Sequence, residues 1–193
     1  MKNDAITGDN KQVEDRPGGQ WSSRLQRLHI DRGRPGKGFV HLLGTNTIFP
    51  FLDLLPDREA ITEGLKMVML VPKVEDTYGL AHLGVIEICA WPRDLWLDLG
   101  VLDFEKEKWL LDKLEVPYTV DEKENSVVCE FTEKTARAHQ LLGTFLHELG
   151  HHNTIVKNAS RKRIPKRPAP YEGTYGRTMA DRIFNSYADT FGL

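Results

Sequence analysis

The chain has 193 residues, 40% of them hydrophobic, a formal net charge of -2 and a pI near 6.4. That length fits one compact domain with a sizeable core, and the near-balanced charge leaves no global attraction to nucleic acid or anionic membrane. No apolar run approaches the ~20 residues of a membrane span, and the opening MKNDAITGDNKQVEDRPGGQ lacks the apolar core of a secretory leader, so a cytoplasmic protein is expected.

Residues 1–20 are polar and read as a flexible tail, with residues 21–193 as a single domain. Trp21, Leu25 and Leu28 recur at helical spacing, so a short amphipathic helix is expected before GRPGKG breaks the chain. GFVHLL, LKMVMLVP and LGVIEICAW follow as strands, the last two apolar almost throughout, as strands covered on both faces are. Between the first two, FPFLDLLPDREAITEG reads as an irregular or helical connection. DFEKEKWLLDKLEV is helical, with Trp109, Leu110 and Leu114 on one face. PYTVDEKENSVVCEF reads as a strand, a polar turn around Lys123 to Asn125, and a returning strand. The two cysteines, Cys89 and Cys129, sit in apolar runs without CxxC spacing and are expected to be buried and reduced. Trp91 and Trp96 of AWPRDLW are expected to fill the core.

In the final third, Thr132 is placed to cap a helix from Glu133 to about His152, with Glu133 favourable in its first turn and Asn153 as the stop. Lys157 to Pro170 is basic and proline-containing and reads as a loop. GRTMADRIFNSYADTF makes a closing helix, with Ala180, Ile183, Phe184, Tyr187 and Phe191 at helical spacing. Strands first and helices last give an α+β domain: a twisted, mainly antiparallel sheet packed on the Glu133 helix and closed by the C-terminal helix.

That helix carries LLGTFLHELGHHN. At ~100° per residue, Ala138, Leu141, Leu142, Phe145 and Leu149 gather on one side. His147 and His151 point the other way, with Gln140, Gly143 and Thr144, and Glu148 lies on the flank. Two imidazoles one turn apart suit tetrahedral zinc, and the glutamate beside the first is placed to take a proton from water without ligating the metal. That set supports metal-assisted hydrolysis. Gly143 and Gly150 each cost a helix ~1 kcal/mol relative to Ala, which close approach of another segment to the histidine face explains. His152 points away from His151 and is expected in a supporting or solvated position; His29, His41, His82 and His139 are expected to be structural or surface residues.

LLGTFLHELGHH resembles the active-site helix of zincin metallopeptidases. Together with ICAWPRDLW and ARAHQLL, it is similar to a group of bacterial zincin-like proteins in which a basic loop and a Gly-Glu-x-Tyr/Phe-Ala-Glu stretch follow. The likeness covers roughly residues 38–193. It implies a zincin-like fold, zinc as cofactor, His147 and His151 as ligands, Glu148 as general base, and a peptide or protein substrate held in part by an edge strand. A third ligand from further on is implied too. The short-spacer pattern is absent, since Thr154 and Lys157 stand where glycine and histidine belong, which leaves Glu172, Asp181, Asn185 and Asp189. Glu172, in APYEGTYG, ranks first and Asp181 second; Asn185 takes the carboxylate slot of an ExxxD-like spacing, and an amide is a poor zinc ligand. Tyr171 and Tyr175 beside Glu172 are expected to pack, with an oxyanion contact as the alternative. The basic run from Lys157 to Arg167 reads first as a solvated loop, with substrate contact or gating at the cleft it should border as the alternative; with no interleaved aromatics it gives no support to nucleic acid. The alternative function is a non-catalytic, zinc-stapled binding protein, or a decayed peptidase, engaging an acidic partner through that loop.

Overall fold

The structure, a computed structural model, describes residues 28–74, 77–121, 123–160 and 171–193, with backbone alone for Ser160, Tyr171, Glu172 and Gly173. The expected tail, most of the helix from Trp21 and the basic loop from Arg161 onward lie outside these residues. In chain order the elements are β1 (His29–Arg32), β2 (Phe39–Val40), α1 (Thr45–Asp53), α2 (Arg58–Ile61), β3 (Met67–Val71), β4 (Gly79–His82), β5 (Val85–Cys89), β6 (Trp91–Pro92), β7 (Trp96–Gly100) and α3 (Val101–Lys113). Then come β8 (Tyr118–Asp121), β9 (Ser126–Glu130), α4 (Glu133–Ala138), a π-helical segment (His139–Phe145), α5 (Leu146–Ser160) and α6 (Tyr171–Phe191).

The fold is α+β with small sheets, and the expectation of one mainly antiparallel sheet is corrected. The largest sheet has the order β1-β3-β5-β4, in which β1, β3 and β5 are parallel and β4 alone is antiparallel. Connections explain the mixture. α1 and α2 intervene between β1 and β3, and such a crossover returns the chain parallel. β4 and β5 are joined by Leu83 and Gly84, a hairpin turn in which Gly84 has φ 83°, a conformation that side-chain-bearing residues rarely adopt. A three-stranded antiparallel sheet, β7-β9-β8, lies apart, and GFVHLL contributes only the two residues of β2, paired with β6.

The long helix starts as expected: Thr132 Oγ1 accepts the Thr135 N–H at 3.1 Å. It does not stop at Asn153 but runs on to Ser160. Val156 packs on the backbone at Gly64, where a Cβ would come within 3.3 Å of it, so tertiary contact holds the extra turns. Leu141, Leu142, Phe145 and Leu149 are fully buried, each stabilising the fold by about 1.5–3 kcal/mol. Phe51 of α1 meets Phe145 edge-on at 5.7 Å and Tyr187 of α6 at 6.1 Å, tying the helices into one core. Ala180 and Ile183 complete that face, while Phe184 and Phe191 are half-buried at its margin.

Trp91 is buried as expected, but Trp96 is 57% exposed, a correction that follows from strand alternation: Leu97 and Leu99 take the inner face of β7. Both cysteines are buried and free. Burial raises both thiols, Cys129 to about 11 with the Asp98 charge adding to it. At pH 8, Cys129 in the native protein should alkylate with iodoacetamide roughly two orders of magnitude more slowly than in urea; mass spectrometry of the timed adducts checks this. Among the described residues no helix is long and apolar enough to cross a membrane.

Candidate metal centre

His147 and His151 stand off the apolar face, the first exposed and the second half-buried. Their Nε2 atoms are 2.9 Å apart, with ring centroids at 4.6 Å and planes at 74°. Two nitrogens bound to one tetrahedral zinc at ~2.0–2.1 Å stand roughly 3.3 Å from one another. The two nitrogens, within hydrogen-bond distance of each other, stand slightly closer than that. Glu148, one residue on, is buried with 8% exposure.

Three elements close on this stretch, each at a glycine. A Cβ on Gly79 of β4 would lie 2.7 Å from Thr144 Cγ2 and 2.9 Å from Glu148 Cγ. One on Gly176 of α6 would lie 3.2 Å from the backbone nitrogen of His147. One on Gly143 would lie 3.0 Å from Leu110 Cδ2 of α3, which is the close approach that a glycine in mid-helix led us to expect. The sheet, α3 and α6 thus all pack against the turn that carries the histidines.

A cleft of about 450 Å³ opens beside it, lined by His147, Glu148 and Thr144 and, from α3 and the π-helical segment, by Glu107 and His139. His139 is the structural residue rather than the surface one of the two expected: it is 3% exposed, edge-on to Trp91 and Phe131, with Nε2 3.3 Å from Glu107 Oε2. Burial pushes the Glu107 carboxyl up, but contact with His139 and the charges of His139 and His147 outweigh it and hold the group below the ordinary carboxylate range. Sequence reading missed this pair. His139, Gly143, His147 and His151 recur every four residues, a signal that was available for His139. Glu107 had none, because its seat depends on Leu110 docking at Gly143.

Gln140, expected beside the histidines, is instead 4% exposed and donates from Nε2 to Cys89 O at 2.8 Å. The wider π turn rotates it inward; such turns recur at functional sites. His152 is neither solvated nor aimed at the cleft: it is fully buried, with Nε2 3.1 Å from Glu63 O and Nδ1 3.3 Å from His82 O. His41 is buried with Nε2 3.1 Å from Gly33 O, and burial lowers its pKa. His29 is exposed, and His82 lies 3.7 Å from Glu87.

Of the candidate third ligands, Asp181 is exposed and paired with Lys113 at 2.5 Å, away from the histidines' side of α6, and Asn185 and Asp189 are exposed. Tyr175 is half-buried against the core. Glu172 falls in the first turn of α6 with its side chain outside the description. Among the described residues no group of three His, Cys, Asp or Glu is placed to hold a metal. No protein-family model matches the chain, and neither curated proteins nor solved structures yield a match.

Proposed function

We propose that the protein is a zinc-dependent metallopeptidase of zincin type, with His147 and His151 as ligands and Glu148 as general base. The observation that carries this reading is the convergence of the two Nε2 atoms, 2.9 Å apart, beside a buried carboxylate on the wall of an open cleft. Structural zinc sites are closed by four protein ligands, whereas catalytic ones keep a position open. An exposed His147 facing a cleft favours the second kind.

Helix register supports Glu172 as third ligand. Lys134 Nζ donates to Gly192 O at 2.8 Å, and Gly176 abuts His147, so α6 runs antiparallel to the long helix. Glu172 precedes Gly176 by one turn as His151 follows His147 by one turn. β4 supports a substrate path. It is the sheet's edge, its Gly79 lies against Glu148, and no described strand pairs with its other side, so an extended peptide can add there by main-chain hydrogen bonds.

Zinc supplies Lewis acidity toward water and the scissile carbonyl. The chain does the rest: β4 aligns the peptide, and Glu148 Oε takes the proton of the attacking water and returns it to the departing amine. Near-stoichiometric zinc is expected in wild type and in Glu148→Ala alike, with cleavage of a denatured protein substrate falling about 10²–10⁴-fold in the variant. Metal analysis and a gel assay check both. A wild type that takes up no zinc at micromolar supply ends the proposal.

A further inference from the structure

Glu107 is the feature of the cleft that general-base chemistry at Glu148 leaves unused. Its carboxylate lies over Gly143, 3.8 Å from where a Cβ would stand, between His139 one turn before and His147 one turn after. Beneath it the cleft is walled by Leu97, Leu99, Leu142 and Trp109. The Glu107 side chain is 38% exposed, so its carboxylate faces the cleft, with Oε2 3.3 Å from His139 Nε2. No lysine or arginine among the described residues neutralises it. Lys106 at the cleft margin is held by Asp103 at 2.6 Å, and the Arg177 guanidinium lies 5.1 Å over the Trp109 ring. His139 Nδ1, buried in the same wall, has no hydrogen-bond partner among the described residues. An anionic acceptor at the end of an apolar slot suits a side chain with a long methylene stem and a cationic head.

We infer that Glu107 sets the specificity of this cleft and that the substrate residue seated in it is a lysine or arginine flanking the bond to be cut. This rests on the metallopeptidase reading. Peptides differing only in the residue on either side of one bond, as lysine, norleucine or glutamate, test it with wild type, Glu107→Gln and Glu107→Lys. Wild type should prefer lysine to norleucine by about tenfold or more in kcat/KM at one of the two positions. Glu107→Gln should abolish the lysine preference, so that the ratio of lysine to norleucine kcat/KM falls to about one whatever the absolute rate, and circular dichroism with a urea melt shows that the variant is folded. Glu107→Lys should prefer glutamate.

Equal cleavage of lysine and norleucine peptides by wild type, or an equal loss of both in Glu107→Gln, overturns the assignment while the peptidase stands. If none of the proteins cuts any peptide, the peptidase reading falls and binding decides the pocket. Lysine amide and norleucine amide are then titrated onto the zinc-supplied protein, and the His139 ring resonances are followed. A shift with lysine amide in wild type but not in Glu107→Gln sustains the cation site; no shift in either protein removes it.

Discussion

Alanine at His147 or at His151 should abolish zinc binding at micromolar metal and, with it, all proteolysis. Each ring supplies one of the two nitrogens that now converge at 2.9 Å, and a single imidazole on an exposed helix face offers the ion nothing to chelate. The loss should far exceed the about 10–100-fold that removal of a partner outside the ligand set costs. Thermal unfolding gives a second readout. An ion that binds only the folded chain stabilises it by about 2.7 kcal/mol at a hundred times its Kd, so a chelator should lower the wild-type melting point and leave the alanine variants unmoved. Glu172→Ala should behave like the histidine variants. Asp181→Ala should keep its zinc, because its partner is Lys113 at the surface, where an ion pair contributes about 0–1 kcal/mol. Zinc retained by both histidine variants at wild-type affinity sinks the metal centre, and retention by Glu172→Ala alone moves the third ligand elsewhere.

The histidine helix was legible because its evidence is local. Thr132 caps it, Leu141, Leu142, Phe145 and Leu149 mark one face at helical spacing, and the imidazoles fall on the other; the structure keeps every one of these placements. α6 was legible for the same reason. The sheet was not. Trp21, Leu25 and Leu28 of WSSRLQRLHI stand at helical spacing, but His29 and Ile30 at the end of that stretch belong to β1, and Ile30 pairs with Val68 in a parallel ladder. Nothing within ten residues signals a partner that distant, since the pairing is set by the crossover through α1 and α2. Non-local packing also carried α5 past Asn153, whose stop signal was outweighed by contact between Val156 and Gly64.

The candidate site was legible on one helix only. HExxH spacing brings His147, Glu148 and His151 to a common neighbourhood through helix geometry alone, without reference to the rest of the fold. Glu107 reaches that neighbourhood because Leu110, one turn on along α3, fills the space left by Gly143, and a charged residue in DFEKEKW reads like any solvated one. Gln140 shows the complementary error. A periodicity argument assumes a constant twist, and the π-helical segment breaks it just before the motif. The glycines were the better guide, since each records where another element comes too close for a side chain.

Gly79 offers the sharpest use of that record. Gly79→Ala is expected to destabilise the protein by about 1–3 kcal/mol and to lower turnover by up to about 100-fold, with zinc content unchanged. The new methyl would stand 2.7 Å from Thr144 Cγ2 and 2.9 Å from Glu148 Cγ, and 3.1 Å from Glu87 O behind it. Thr144 can rotate aside; the Glu87 carbonyl belongs to the β4–β5 ladder and cannot. Relief must come from moving β4 outward or from swinging the Glu148 side chain, and either shifts Glu148 relative to the edge strand. Alanine removes some backbone freedom from the unfolded chain, worth about 0.4–1 kcal/mol in its favour, which is too little to offset overpacking of this kind. Gly176→Ala differs: its contacts with His147 and Leu146 backbone atoms lie at 3.2–3.4 Å, and the ~1 kcal/mol gained in helix propensity nearly balances them. Urea melts and kcat on one peptide, measured for both variants, separate the two cases. Wild-type stability and turnover in Gly79→Ala would mean that β4 does not lie against Glu148, and the substrate path along that strand would go with it.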